Sequence, residues 1–293
     1  MNGMISRIKK YICAIFIILA IMATFAGCNA VKSDIDYGFY ENEQSYKSGN
    51  FEYTANEIDN IELNWHSGKI NILRSDKENL SVSENNDKLE ESQQLHYFID
   101  GSTIKINYCK SRYVGKIDEK QKNILVEIPE KINLDINTLN SDVSADDLSL
   151  SDLDIKIANG SLNVNTLESD KMDFNISNGS LNINTLRSDE IAFNISNGFL
   201  NVNTLESDKM NATVGNGRTS LGVAKCNLLD LNTFNGDVEI TLLDNLGAEV
   251  LTRIGAGEFK TEKEYVVNRE KKIFGSGECK IITYIGKGNL KVK

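Results

Sequence analysis

The chain is predicted to be all-β, a single-domain parallel β-solenoid with about 19 residues per coil. Three observations carry that expectation. The pairs Asn159-Gly160, Asn178-Gly179, Asn197-Gly198, Asn216-Gly217 and Asn235-Gly236 recur at one step of 19 residues, and a fixed period this short means stacked units. The unit NGSLNVNTLESDKMDFNIS from Asn159 returns as NGSLNINTLRSDEIAFNIS from Asn178 and NGFLNVNTLESDKMNATVG from Asn197. Proline, which would remove ladder donors, occurs only once, at Pro129.

Within one unit Leu162, Val164 and Leu167, then Met172, Phe174 and Ile176, are separated by polar residues. Period-two alternation of this kind predicts two short strands. Asn-Gly before the first strand and Glu168-Ser169-Asp170 before the second supply turn chemistry, so each unit has two strands and two corners. A meander of hairpins could also be built from such units. Near-identical units favour parallel stacking, because Leu162 then sits on Leu181 and Leu200, and Phe174 on Phe193, with a rise of roughly 4.8 Å per coil.

Beyond the clear copies the period fades. A step back from Asn159 reaches Asn140-Ser141, with Val143, Leu153, Ile155 and Ile157 in pattern, and another reaches Gln121, with Ile124, Val126, Leu134 and Ile136. Forward of Asn235, Val238, Ile240 and Leu243 fit before a degenerate unit begins at Ile254-Gly255. The predicted organisation is a signal peptide at 1–27, a tether at 28–50 and a solenoid at 51–293, with central repeats at 121–253 and a divergent C-terminal cap. Atypical ends are expected of a solenoid, since exposed edge strands invite aggregation.

Arg7, Lys9 and Lys10 precede an apolar run from Tyr11 to Ala26, the order of a secretory signal and short for a spanning helix. The run ends in Phe25-Ala26-Gly27-Cys28, which resembles a bacterial lipobox. That resemblance implies cleavage before Cys28, lipidation of its thiol, and a body held by a lipid anchor on the extracytoplasmic face of the cell membrane. The residues from Asn29 to about Asn50 read as a polar tether.

The formal charge is −10, and it becomes −13 once the three basic residues of the signal leave. Such a chain is repelled by polyphosphates, so nucleic acid is excluded as a partner, while acidity keeps a repetitive β surface soluble. With Cys13 in the signal and Cys28 lipidated, Cys109, Cys226 and Cys279 remain. They allow one internal disulfide at most, and the sequence does not choose the pair.

No catalytic, metal or cofactor constellation is expected. The two histidines, His66 and His96, stand in no hydrolase or metal motif, and Trp65-His66 before Ser67-Gly68 reads as an aromatic corner. Asp170, Asp189 and Asp208 recur at one place in each unit, which points to a corner device; a catalytic pair usually breaks a repeat. Ser169-Asp170 by itself offers too few oxygens for calcium.

The remaining candidate is the outward surface. Asn163, Asn182 and Asn201 are expected to form one ladder and Asn165, Asn184 and Asn203 a second, flanked by Thr166, Thr185 and Thr204. Amides can bond along the stack, and they can also meet a glycan or another protein's strand.

Ile61-Glu62-Leu63-Asn64 with Ser67-Gly68-Lys69-Ile70-Asn71-Ile72, then Asn123 to Pro129, the Asn-Gly coils, Gly275-Ser276-Gly277 and Gly286 to Leu290 together resemble the bacterial putative-adhesin family of β-strand-repeat proteins, a domain of unknown function. The resemblance spans roughly Phe51 to Lys293. It implies an extracytoplasmic β-solenoid of the cell envelope and brings no active-site residues. The expected role is a non-enzymatic, surface-exposed lipoprotein that binds or scaffolds, with a surface glycan or an envelope protein as partner. An accessory role beside an envelope-stress sensor is the alternative, and a glycan-processing β-helix enzyme the third reading.

Overall fold

The computed structural model describes residues 35–36, 38–54, 57–77, 79–86, 88–117 and 122–293. The expected signal peptide, Cys28, the first part of the tether and Gln121 lie outside the described residues. Two compact units separate. In the first, Met1–Asp36 with Val114–Lys116, the strand Ile35–Asp36 pairs antiparallel with Val114–Gly115. The second, Tyr37–Tyr113 with Ile117–Lys293, is all-β apart from single 3-10 turns such as Glu43–Ser45 and Glu91–Gln93.

The middle of this second unit follows the 19-residue step in space as well as in sequence. Leu153 pairs with Met172, Ile155 with Phe174 and Ile157 with Ile176, all in parallel. The other strand run pairs Leu162 with Leu181, Val164 with Ile183 and Leu167 with Leu186. Like residues therefore stack on like, as with the Phe174 and Phe193 rings, whose centroids lie 4.9 Å apart. These side chains are fully buried, each contributing about 1.5–3 kcal/mol of transfer free energy.

The corners differ from expectation in construction. Pairing continues round them, so that Lys171–Asn216 is one strand of 46 residues. At the Asn-Gly corner the glycine alone takes a positive φ, 142° at Gly160, 154° at Gly179 and 150° at Gly198. A Cβ at Gly179 or Gly198 would overlap the carbonyl oxygen of the glycine one coil below. The asparagines serve another purpose. From Asn235 down through Asn216, Asn197, Asn178 and Asn159 to Asn140, each Nδ2 donates to the Oδ1 below at 2.9–3.1 Å. At the second corner serine, not aspartate, is the stitch. The Ser169 hydroxyl donates to the Ser151 carbonyl at 2.6 Å and also lies 2.9 Å from the Lys171 carbonyl, while Ser188 and Ser207 repeat the contact one and two coils on. Asp170 and Asp189 beside them are exposed.

Chain order and stacking order part company at both ends. Ile124–Ile128 does not lie against Val143, although the sequence step is 19. The strand Asn60–Arg74 intervenes, pairing Ile70 with Ile124 on one side and with Val143 on the other. It fits because Ile61, Leu63, Ile70 and Ile72 carry the same alternation and Gly68 the same positive-φ corner. At the other end the coil after Gly236 is the segment that comes last in the sequence. Cys279–Lys287 pairs with 228–235 on one side and 248–256 on the other, and Leu290–Val292 lies between Val238–Ile240 and Phe259–Thr261. The corner glycines in that region are Gly288 and then Gly257, both at φ 143°, not the expected Gly255.

Antiparallel strands close the ends. Phe51–Thr54 and Asn79–Glu84 cover Ile124–Ile128, and His96–Asp100 covers Thr103–Asn107. Opposite them, Lys271–Phe274 covers Ala248–Leu251, with Val266–Asn268 outermost.

Candidate binding faces

The expected ladders lie on the strand run that contains Leu162–Glu168. Asn182 Nδ2 donates to Asn163 Oδ1 at 3.0 Å, but Asn201 turns within its own coil toward Asn203 at 3.5 Å, so this ladder stops after two members. The second is longer. Asn203 donates to Asn184 at 3.2 Å, Asn184 to Asn165 at 3.3 Å, and Asn165 to Asp147 at 3.0 Å. Thr166 pairs in register with Thr185, whereas Thr204 lies at the irregularity between Val202 and Leu205. The Asn165 column ends one coil further, where Gly222 packs on the Asn203 carbonyl.

Each amide in such a ladder uses one N–H and one oxygen lone pair on its neighbours. The second N–H and the remaining lone pairs face outward. The face is thus a rigid row of donor and acceptor pairs at the coil spacing, roughly 4.8 Å. Beside it Arg187 bridges Glu168 at 2.7 Å and Glu206 at 3.2 Å, so the charges along this margin are paired up the stack.

The other strand run carries a feature the sequence reading did not isolate. Glu62, Asp135, Asp154 and Asp173 stand in one column, brought together by parallel register. They line an open groove of about 350 Å³ with Asn60, Asn133, Asp152 and Lys171. Lys156 binds Asp154 Oδ2 at 2.8 Å, while Asp154 Oδ1 is shielded and has no hydrogen-bond partner. Burial first, then the neighbouring Asp154 charge against the pull of Lys156, leaves the Asp135 carboxyl above its ordinary range. A 19-residue step links Asp135, Asp154 and Asp173 and could have revealed the column, but Glu62 joins it only through the inserted strand.

A second feature is buried at the first coils. Lys122 and Glu84 form an ion pair with side chains 0% and 3% exposed. Lys122 Nζ also donates to the Gln93 carbonyl at 2.6 Å and lies 5.1 Å from the Trp65 ring and 4.8 Å from the Tyr108 ring. Trp65 meets Tyr108 edge-on at 4.9 Å, and His66 lies beside the same ring, so the aromatic corner holds a buried cation. Burial, opposed by Glu84, draws the Lys122 amine below its usual range, and burial pushes the free Cys109 thiol nearby up to about 12. Among the described residues no group of three or more His, Cys, Asp and Glu side chains is arranged to hold a metal ion.

Residues 58–292 match the Toastrack DUF4097 domain. The chain belongs to that family. Among solved structures, a putative adhesin from Bacteroides fragilis NCTC 9343 is 14% identical with a TM-score of 0.50, covering 84% of this chain and 97% of its own. A putative adhesin from Parabacteroides distasonis ATCC 8503 (15% identity, TM-score 0.44) covers 84% of this chain and 97% of its own. A putative lipid binding protein from the same organism (15% identity, TM-score 0.42) covers 85% and 97%. None of the curated proteins matches. At this identity the first likeness speaks for the all-β Toastrack fold and for nothing finer. Within the described residues no helix of this Toastrack chain is long and apolar enough to cross a membrane.

Proposed function

We propose that this Toastrack protein is a non-enzymatic binding or scaffolding module of the cell envelope. Its body, 51–293, is a parallel β-solenoid of 19-residue coils, held by lipid on Cys28 at the extracytoplasmic face. The partner is a surface glycan or an envelope protein, and it meets Asn163, Asn165, Thr166, Asn182, Asn184, Thr185, Asn201, Asn203 and Thr204. The observation that carries this reading is the in-register amide row from Asn165 to Asn203, exposed and rigid, with outward hydrogen-bonding capacity left over. The Cys226–Cys279 bond supports the location, since disulfides persist in oxidising compartments.

A photo-crosslinking probe in place of Asn182, used in living cells with adducts identified by mass spectrometry, tests it. A reproducible glycan or protein adduct supports the face. Absence of any adduct from an anchored, folded protein turns the reading toward the accessory role, with contact through a stack end. One observation favours that alternative: Val266 and Val267 are 68% and 63% exposed on the outermost strand of the terminal hairpin. Such an apolar edge is open to strand addition.

A further inference from the structure

Cys226 stands in the column of the corner serines, directly in register with Ser207. Where Ser169, Ser188 and Ser207 stitch their coils by hydroxyl-to-carbonyl bonds, Cys226 makes a covalent bond to Cys279, with the two Cα atoms 5.1 Å apart and both side chains buried. Cys279 opens the inserted segment Cys279–Val292. That segment is a hub. The coil 248–261 pairs, besides its own hairpin, with Cys279–Lys287 and Leu290–Val292, and no ladder among the described residues joins it to coils before 243 by another route. Loss of the inserted segment would therefore release two coils at once. It would leave the strands 228–235 and 238–242 with a bare edge, the arrangement that accepts an extended strand.

We infer that Cys226–Cys279 is a redox lock on the C-terminal module, 244–293. Oxidised, it holds the inserted segment in the stack. Reduction by a dithiol transfers two electrons and two protons to the bridge, giving two cysteine thiols and a cyclic disulfide on the reductant. The module then opens as one piece and presents the edge of 228–242, while the coils 152–195 stay closed because their register, hydroxyl stitches and stacked rings do not pass through the bond.

Hydrogen exchange read by mass spectrometry on the full chain, oxidised and then reduced with dithiothreitol under native conditions, tests this. Reduction should speed exchange in 228–242 and 248–292 by up to about a thousandfold, the factor that closing a loop across 53 residues is worth in chain entropy. Exchange in 152–195 should not move. A Cys226→Ser, Cys279→Ser double variant should reproduce the open pattern and be indifferent to dithiothreitol. If it fails to fold, reduction of the native chain decides alone. Unchanged exchange on reduction would overturn the proposal, and so would acceleration that spreads evenly into 152–195. Free thiols at both positions in the protein isolated under non-reducing conditions would overturn it as well.

Discussion

The coils at 152–216 and the segments on either side of them use the same columns but reach them differently. In the middle each coil stacks on its sequence neighbour, so one repeat specifies the next and corners are satisfied by glycine, asparagine and serine acting along the column. At the ends the columns continue with residues from remote parts of the chain: Asn60–Arg74 enters below Asn133–Ser149, and Cys279–Val292 enters above Thr219–Leu242. The comparison teaches that a solenoid column asks only for the right side chain at the right height. Whether the supplier is 19 or 52 residues away matters to loop entropy, which grows slowly with length, and little to the core.

The sharpest way to break the middle is Gly198→Ala. The alanine methyl must enter the space of the Gly179 carbonyl at a φ of 150°, so both backbone strain and overlap oppose it. A loss of at least about 4 kcal/mol, or failure to fold, is expected in urea titration. The same corner one coil above the inserted strand is Ser141, which shows the site becomes permissive where the repeat ends, so Ser141→Gly should be nearly neutral. Equal costs for the two would erase the distinction between middle and end.

At the first coils, Lys122→Met leaves Glu84 buried without its partner. The expected loss is about 3 kcal/mol, and adding Glu84→Leu should return much of it. Chemical denaturation of the single and double variants checks this, and additive losses would show that the pair is not coupled.

The smallest effect concerns the acidic column. Because the folded Asp135 carboxyl sits above its ordinary value, the folded state binds that proton more tightly than the unfolded chain. Its contribution is therefore most favourable at low pH and is lost as pH rises from about 3.9 through the raised folded value. Asp135→Asn should raise the melting temperature slightly at pH 7, with the advantage gone at pH 3.5. A variant that gained equally at both values would locate the effect outside the titration.

Much of the middle was legible because its signals are local. The alternation of Leu162, Val164 and Leu167 and the spacing of the Asn-Gly pairs fix coil length, core columns and corner position within 19 residues. The amide ladders were legible in outline, but that Asn201 turns aside to Asn203, and that the Asn159 column is itself a ladder, depends on side-chain geometry. The acidic groove was half legible, since only three of its four stacked carboxylates share the period.

By itself, then, the sequence determined an all-β repeat, its period, its buried columns and its glycine corners, because each follows from neighbours a few bonds or one coil away. Only the tertiary structure decided which strand lies against Val143, which segment follows Gly236, that Cys226 meets Cys279, and that Lys122 is buried against Glu84 and Trp65. Those choices turn on loop closure across tens of residues and on packing among equally suitable apolar strands. Periodicity holds no information about them, because every competing strand carries the same alternation.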